Sequence, residues 1–340
     1  MQLKKDIANK TPGRLYAFYG EERYLLEYYL GMLRKVLIPE GLEGFNAKRF
    51  EGKNVQWSEI AEAIDALPVF CERTLIEVYD FDLFKRSEAE KNEILQVFSD
   101  LPDYVCVVFV YDIVEFKPDG RVKINSAIKN AMSVVEFVCQ EQSDLVNWIG
   151  RRFKALGKRI DRSTAEYLSF VSGGLMTTLT TEIEKTAAYA KGEIIQKSDV
   201  DAVVVPVLDA AVYKMTDAML QRDFNEAARI LGDLLAMQEP PHKILYNISI
   251  KMRQLLAAKL CVLSEKGMSD LMDICSIRYE FQAKGVMAAA RRTDESWCRG
   301  AVRLCSETAY KMNSGTTDEK ELLSQLLMEL AVAEDSGWSA

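Results

Sequence analysis

The feature that most constrains this chain is an unbroken run of eight apolar residues, Tyr104 to Tyr111, closed by Asp112. A strand with one wet face alternates apolar and polar side chains, whereas a strand apolar at every position must be covered on both faces. Read as a strand over 105–112, VCVVFVYD therefore predicts the middle of a parallel sheet flanked by helices. Its surroundings agree. RLYAFYG (14–20), FNAKRFEG (45–52), TLIEVYD (74–80) and SVVEFVC (133–139) are further strand patterns, and 21–38 and 57–67 have helical spacing. Strands alternating with helices imply a parallel α/β sheet with right-handed crossovers over residues 1–139. The apolar run is far shorter than the roughly 18 residues of a membrane span. MQLKKDIANK has no apolar segment after its charged start. A cytoplasmic protein with no membrane partner is expected.

After residue 139 the pattern changes. Over 140–208 the only strand signal is the weak VVVPV (203–207), while helices are well marked. Ser163-Thr164-Ala165-Glu166 reads as a capping box. Gly173-Gly174 punctuates before a helix running through Glu182 to Tyr189, and Gly192 is its expected stop. From 209 to 340 the chain reads as all helical. Ile244, Ile248, Met252 and Leu255 recur at helical spacing before a stop at Gly267, and similar stripes cover 209–237, 294–313 and 318–334. Three regions follow: an α/β domain (1–139), a small helical lid (140–208) and a helical bundle (209–340).

Composition narrows the chemistry. With 340 residues, 49% of them hydrophobic and 28% charged, the chain is globular with two or three domains. Basic and acidic residues number 18 and 23 before residue 140, 9 and 9 up to 208, and 16 and 19 beyond. No region is a basic domain, so any DNA contact is local or shared with other chains. The seven cysteines are odd in number, spread out and free of C-x-x-C pairs, which predicts buried reduced thiols and neither zinc nor disulfides. The lone histidine, His242, follows Pro240-Pro241 and reads as structural, so a Ser-His-Asp triad or a histidine-bound metal is not expected.

A parallel-sheet domain followed by a helical lid and a bundle is the layout of AAA+ ATPases, which need three elements along this chain. The first, G-x-x-x-x-G-K-[ST] after strand one, reads Tyr19-Gly20-Glu21-Glu22-Arg23-Tyr24, with carboxylates where phosphate would sit. The second is an acidic pair after the third strand, which reads Tyr79-Asp80-Phe81-Asp82, with Phe at the second acid. The third is an arginine opening a lid helix, where Gly173-Gly174-Leu175-Met176 has Met. Three losses together predict no ATPase site, no catalytic residues, no cofactor and no metal.

These residues also resemble the delta-subunit family of bacterial DNA polymerase III clamp loaders, over nearly the whole chain. The resemblance is carried by Tyr19-Gly20-Glu21-Glu22 with Tyr24-Leu25, by Leu67-Pro68-Val69-Phe70 leading into Thr74-Leu75-Ile76, and by Gly173-Gly174-Leu175 followed by Glu182-Ile183-Glu184-Lys185. Asp217-Ala218, Leu234-Leu235, Glu239-Pro240 and Ile244-Leu245 continue it. It implies an AAA+-like first domain without a P-loop, a helical lid and a collar that joins the other loader subunits, both the ATPase subunits and the delta-prime type. It further implies that the loop before strand three inserts hydrophobic residues, here Leu67, Val69 and Phe70, into a pocket of the sliding clamp. Primed DNA is a partner only within the complex. Cys71 and Thr74 depart from the family's usual glycine and basic residue.

Without the family, LPVF is a helix end turning into a strand, and burial of Val69 and Phe70 in the core is the favoured reading. Pro68 stops the helix and fixes an extended turn that can hold two apolar side chains outward; with the resemblance, the outward reading is preferred. In the cluster Arg151, Arg152, Lys154, Lys158, Arg159 and Arg162, a solvated helix face is favoured over a DNA-phosphate or subunit contact, for which Arg151, Arg152, Lys154 and Lys158 are the candidates. Trp148, Trp297 and Trp338 read as core or interface rather than base-stacking residues. The function expected is binding and opening of the clamp. The alternatives are an ATPase-type clamp-loader or helicase-loader subunit, which the phosphate turn disfavours, and a helical scaffold without clamp contact.

Overall fold

Every residue of β4 (Val105–Tyr111) is buried in the computed structural model, which describes residues 2–51, 54–315 and 318–332. Its side chains divide between two cores. Val105, Val107, Phe109 and Tyr111 join one cluster, Cys106, Val108 and Val110 the other. This is the period-two alternation of a strand with helices on both faces. Five parallel strands run in the order β2 (Ala47–Glu51), β3 (Thr74–Tyr79), β4, β1 (Leu15–Tyr19), β5 (Ser133–Glu136). On one face lie α1 (Gln2–Ala8) and α2 (Arg23–Leu37), which contribute Leu3, Leu26, Leu30 and Leu33. On the other are α4 (Trp57–Asp65), α5 (Glu88–Ser99) and α6 (Lys123–Ala131), with Trp57, Ile60, Ile94, Phe98 and Ile128. The expected sheet is present. The pattern over 45–52 is shorter than read: Phe45 and Asn46 close the one-turn helix α3 (Glu43–Asn46), and Gly52 lies outside the described residues.

By contacts the chain divides into two units, residues 1–141 with 175–177, and residues 142–174 with 178–340. The second contains α7 (Gln142–Ala155), α8 (Arg162–Val171), α9 (Met176–Tyr189, apart from its first two residues) and α10 (Lys197–Val203). It continues as α11 (Leu208–Leu220), α12 (Phe224–Ala236), α13 (Pro241–Leu263), α14 (Met268–Cys275), α15 (Glu280–Arg292), α16 (Glu295–Ser314) and α17 (Glu319–Val332). Three local readings change here. VVVPV is not a strand but the end of α10 and the link to α11; the small ribbon pairs β6 (Arg159–Ile160) with β7 (Ile194–Ile195) instead. The cap of α8 is Asp161, not Ser163. Its carboxylate accepts from the Thr164 N–H (2.9 Å) and from both neighbouring hydroxyls. Those hydrogen bonds, Ser163's first, hold its pKa down at about 2. Gly267 is the N-cap of α14, four residues beyond the end of α13.

The bundle core runs through Ile244, Ile248, Met252 and Leu255 of α13, as the stripe predicts. Lys251 is buried in the same helix, its ammonium 4.4 Å from the Tyr213 ring centroid; burial pulls its pKa down to about 8. His242 pairs with Glu319 at 3.0 Å across the bundle. None of the seven cysteines forms a disulfide; Cys106, Cys261, Cys298 and Cys305 are buried as expected, whereas Cys71 and Cys275 are half-buried and Cys139, past the end of β5, is exposed. Trp297 is buried in the core and Trp148 is half-buried on α7, while Trp338 and the end of the 318–334 stripe lie outside the described residues. Among the described residues no helix is long and apolar enough to cross a membrane.

Candidate partner-binding loop and the altered nucleotide turn

All strands of a parallel sheet begin at one edge, and the segment 66–73 arrives there from α4 to start β3. The helix stops at Asp65, Ala66 is already extended (ψ 127°), and Pro68 disfavours helical backbone at Leu67 before it. Beyond it Leu67 is 73% exposed, Val69 38% and Phe70 88%. Phe70 is thus outside the core and Val69 only half in it. Phe70 also has φ +57°, a left-handed backbone that costs a non-glycine residue about 1–2 kcal/mol. An aromatic ring in water on strained backbone gains nothing from its own fold.

The residues on either side are fixed. The fully buried Asn46 carboxamide accepts from the Val69 N–H (2.7 Å) and donates to the Val69 carbonyl (2.8 Å) and to that of Leu42 (3.1 Å). Arg73 donates to the carbonyls of Pro12 (2.9 Å) and Val105 (3.2 Å), and Thr74 N–H to Tyr104 O (2.8 Å). Cys71 turns its thiol to the Arg73 carbonyl at 3.1 Å. Neither Asn46 nor Arg73 is visible as a site residue in the sequence. Each acts on backbone brought close only by folding.

The opposite edge carries the turn where a nucleotide phosphate would be held. Gly20 has φ +127°, and a Cβ there would lie 2.3 Å from the Phe137 carbonyl oxygen. Phe137 N–H donates to Tyr19 O (2.7 Å) and Glu22 N–H to Phe137 O (3.0 Å), so the turn's backbone is spent on β5 and the residues after it. Glu22 is fully buried, with one carboxylate oxygen on the Met176 N–H (3.3 Å) and the other unpartnered; burial pushes its carboxyl above the usual range. Asp80, at φ +53°, accepts from the N–H groups of Asp112, Ile113 and Val114 at 2.8–2.9 Å. Asp82 accepts from Phe84 and Lys85 N–H, and Phe81 between them is buried against Trp57 and Phe109. Asp80 and Asp82, the two acids that follow β3, thus staple loops.

The basic cluster does not act as one patch. Lys158 donates to the carbonyls of Ala190 and Gly192 (2.7 Å each), tying down the segment after α9. Arg152 pairs with Glu184 (3.6 Å) and Arg162 with Glu166 (2.9 Å). Arg151, Lys154 and Arg162 line one groove of about 370 Å³ between α7 and α8, with Asn147 and Ser143.

The chain as a whole is similar to known proteins. The C-terminal domain of the DNA polymerase III delta subunit matches residues 209–330, and the DNA polymerase III delta subunit family matches residues 16–138. The chain is similar to DNA polymerase III subunit delta of Bacillus subtilis (strain 168), 25% identical over 93% of this chain and 92% of that one. A probable DNA polymerase III subunit delta of Aquifex aeolicus (strain VF5) is 23% identical over 82% and 81%. Among solved structures, the Bacillus subtilis DNA clamp loader delta protein aligns over 97% of this chain and 98% of that one, at 22% identity and a TM-score of 0.48. With both delta-subunit matches in order along one chain, it belongs to the family of DNA polymerase III delta subunits.

Proposed function

We propose that this chain grips the replication sliding clamp through Phe70, Leu67 and Val69 and helps prise the ring open, leaving nucleotide hydrolysis to other subunits. The observation that carries this reading is Phe70, 88% exposed on left-handed backbone and held from both sides. Apolar anchors preset in the bound shape lose little conformational entropy on docking, which is how a short loop gains affinity. Opening then requires only that the chain bind the open ring more tightly than the closed one. At the other edge Glu22 and Asp80 serve backbone groups, and this supports a subunit without catalysis of its own.

Two measurements on the isolated chain test this. It should bind the clamp from the same organism without nucleotide, and retain no ATP in equilibrium dialysis. Failure to retain the clamp in a pull-down overturns the first part, and micromolar ATP affinity in a contaminant-free preparation the second. The helical region from 209 onward is proposed to join the other loader subunits, including the ATPase and delta-prime types. Exposed apolar residues such as Tyr246, Leu263, Tyr310 and Met328 support this. Backbone amides of α11–α17 should then gain hydrogen-exchange protection when those subunits are added; no gain there would place assembly elsewhere. Primed DNA is met only inside that complex, with Arg151 and Lys154 as the exposed candidates for phosphate; Arg152 and Lys158, otherwise engaged, are the weaker ones.

A further inference from the structure

We infer that Asn46 is the positioning residue of the anchor loop, a polar clasp that presets Phe70 for its partner; this rests on the clamp-gripping role proposed above. A primary amide has one acceptor oxygen and two N–H donors, and Asn46 commits all three groups to backbone: Val69 N–H, Val69 C=O and Leu42 C=O. Its side chain mimics a neighbouring strand at the point where no strand exists. The first pair of β2 and β3 is Ala47 with Leu75, so Asn46 sits one residue before the ladder while Val69 sits five residues before β3. The intervening chain is pinned again at Arg73, whose guanidinium holds the carbonyls of Pro12 and Val105.

Phe70, Cys71 and Glu72 therefore form a three-residue spur between two fixed points, Val69 and Arg73. With Val69 free, the backbone of Phe70 relaxes out of the left-handed region, since that conformation is unfavourable for L-residues. The ring then points in many directions, and only a fraction of molecules present it correctly. Apparent affinity falls by that fraction. Other side chains cannot substitute: Asp lacks the donor, Ser lacks the second group, and Gln is one methylene too long for the same three contacts.

The test is a double-mutant cycle on the full chain, with clamp affinity and association rate as readouts. Asn46→Ala should weaken clamp binding roughly tenfold, mostly through a slower association rate, since the competent conformer is rarer in the free protein. In a Phe70→Ala background the same change should cost less than twofold, because Asn46 acts through the ring. Val69's amide should exchange faster with solvent in Asn46→Ala. Asn46→Ser, with a smaller packing change, serves as the second variant if the alanine protein melts early, and should show the same non-additivity. If Phe70→Ala weakens binding but Asn46→Ala and Asn46→Ser leave affinity unchanged, the clasp is wrong and the gripping role stands. Equal losses with and without Phe70 would make Asn46 a merely structural residue and overturn the inference. If Phe70→Ala itself leaves affinity unchanged, the gripping role fails first.

Discussion

Replacing Phe70 and Val69 together by alanine should weaken clamp binding by at least roughly a hundredfold while the protein stays folded. An aromatic anchor buried in a partner's pocket contributes about 2–3 kcal/mol and an aliphatic one somewhat less. Each 1.4 kcal/mol is a factor of about ten. The free protein loses little, because the Phe70 ring is 88% exposed and leaves no cavity when removed. Val69 is partly covered, so a small fall in melting temperature comes from that half of the pair. The contrast is Phe109, fully buried in β4 against Phe81 and Phe98, where alanine should cost about 3–5 kcal/mol of stability. Isothermal titration with the clamp and thermal melting of both variants separate the roles. Unchanged affinity in the Phe70/Val69 variant would remove the loop from the interface.

How much of this was legible depends on how far apart the interacting residues lie in the sequence. The buried run of β4 announced the sheet, because a strand covered on both faces leaves its mark at every position. The two-residue strands β6 and β7 left none, since period-two alternation needs more than two residues to be seen. The stripe over 209–237 looked continuous, yet the chain breaks at Arg222 (φ +65°) and restarts under the Asp223 cap. The signal was present: Asp223 followed by Glu226 is a helix start. Asp161 and Ser163 both fit a cap by residue type, and only folding shows the two hydroxyls turned onto the aspartate. Lys251 was hidden by its apolar neighbours; its stem packs in the core while its ammonium meets an aromatic face.

The candidate loop was legible as a segment but not as a shape. LPVF has the same apolar letters whether it points in or out, and the resemblance tipped the reading rather than the pattern. What fixes the outward shape is Asn46, 23 positions from Val69, within a stretch read as strand. At the nucleotide edge the reverse holds. The departure of the turn after β1 from G-x-x-x-x-G-K-[ST] was plain in the letters, but the three backbone N–H groups gathered on the Asp80 carboxylate were not.

Gly20→Ala should be among the most damaging single substitutions in the first unit. Two costs add. The left-handed half of the map at φ +127° is open to glycine and strained for alanine, by about 1–2 kcal/mol. The new methyl would also stand 2.3 Å from the carbonyl oxygen and 2.7 Å from the nitrogen of Phe137, a contact with backbone that cannot rotate away. Overpacking of this kind typically costs about 1–3 kcal/mol. Together they amount to roughly 2–5 kcal/mol, and a melting temperature lower by roughly 10 °C. To relieve the clash, the segment after β5 must part from β1, breaking the Phe137–Tyr19 and Glu22–Phe137 hydrogen bonds. This occurs at the strands' carboxyl edge, whereas the Phe70 loop precedes β3 at the amino edge. Below its melting transition the variant should therefore keep its clamp affinity. A thermal melt alongside clamp titration at low temperature checks both halves. An unchanged melting point would mean that the close approach of Phe137 yields easily, and that Gly20 owes its place to something other than strand packing.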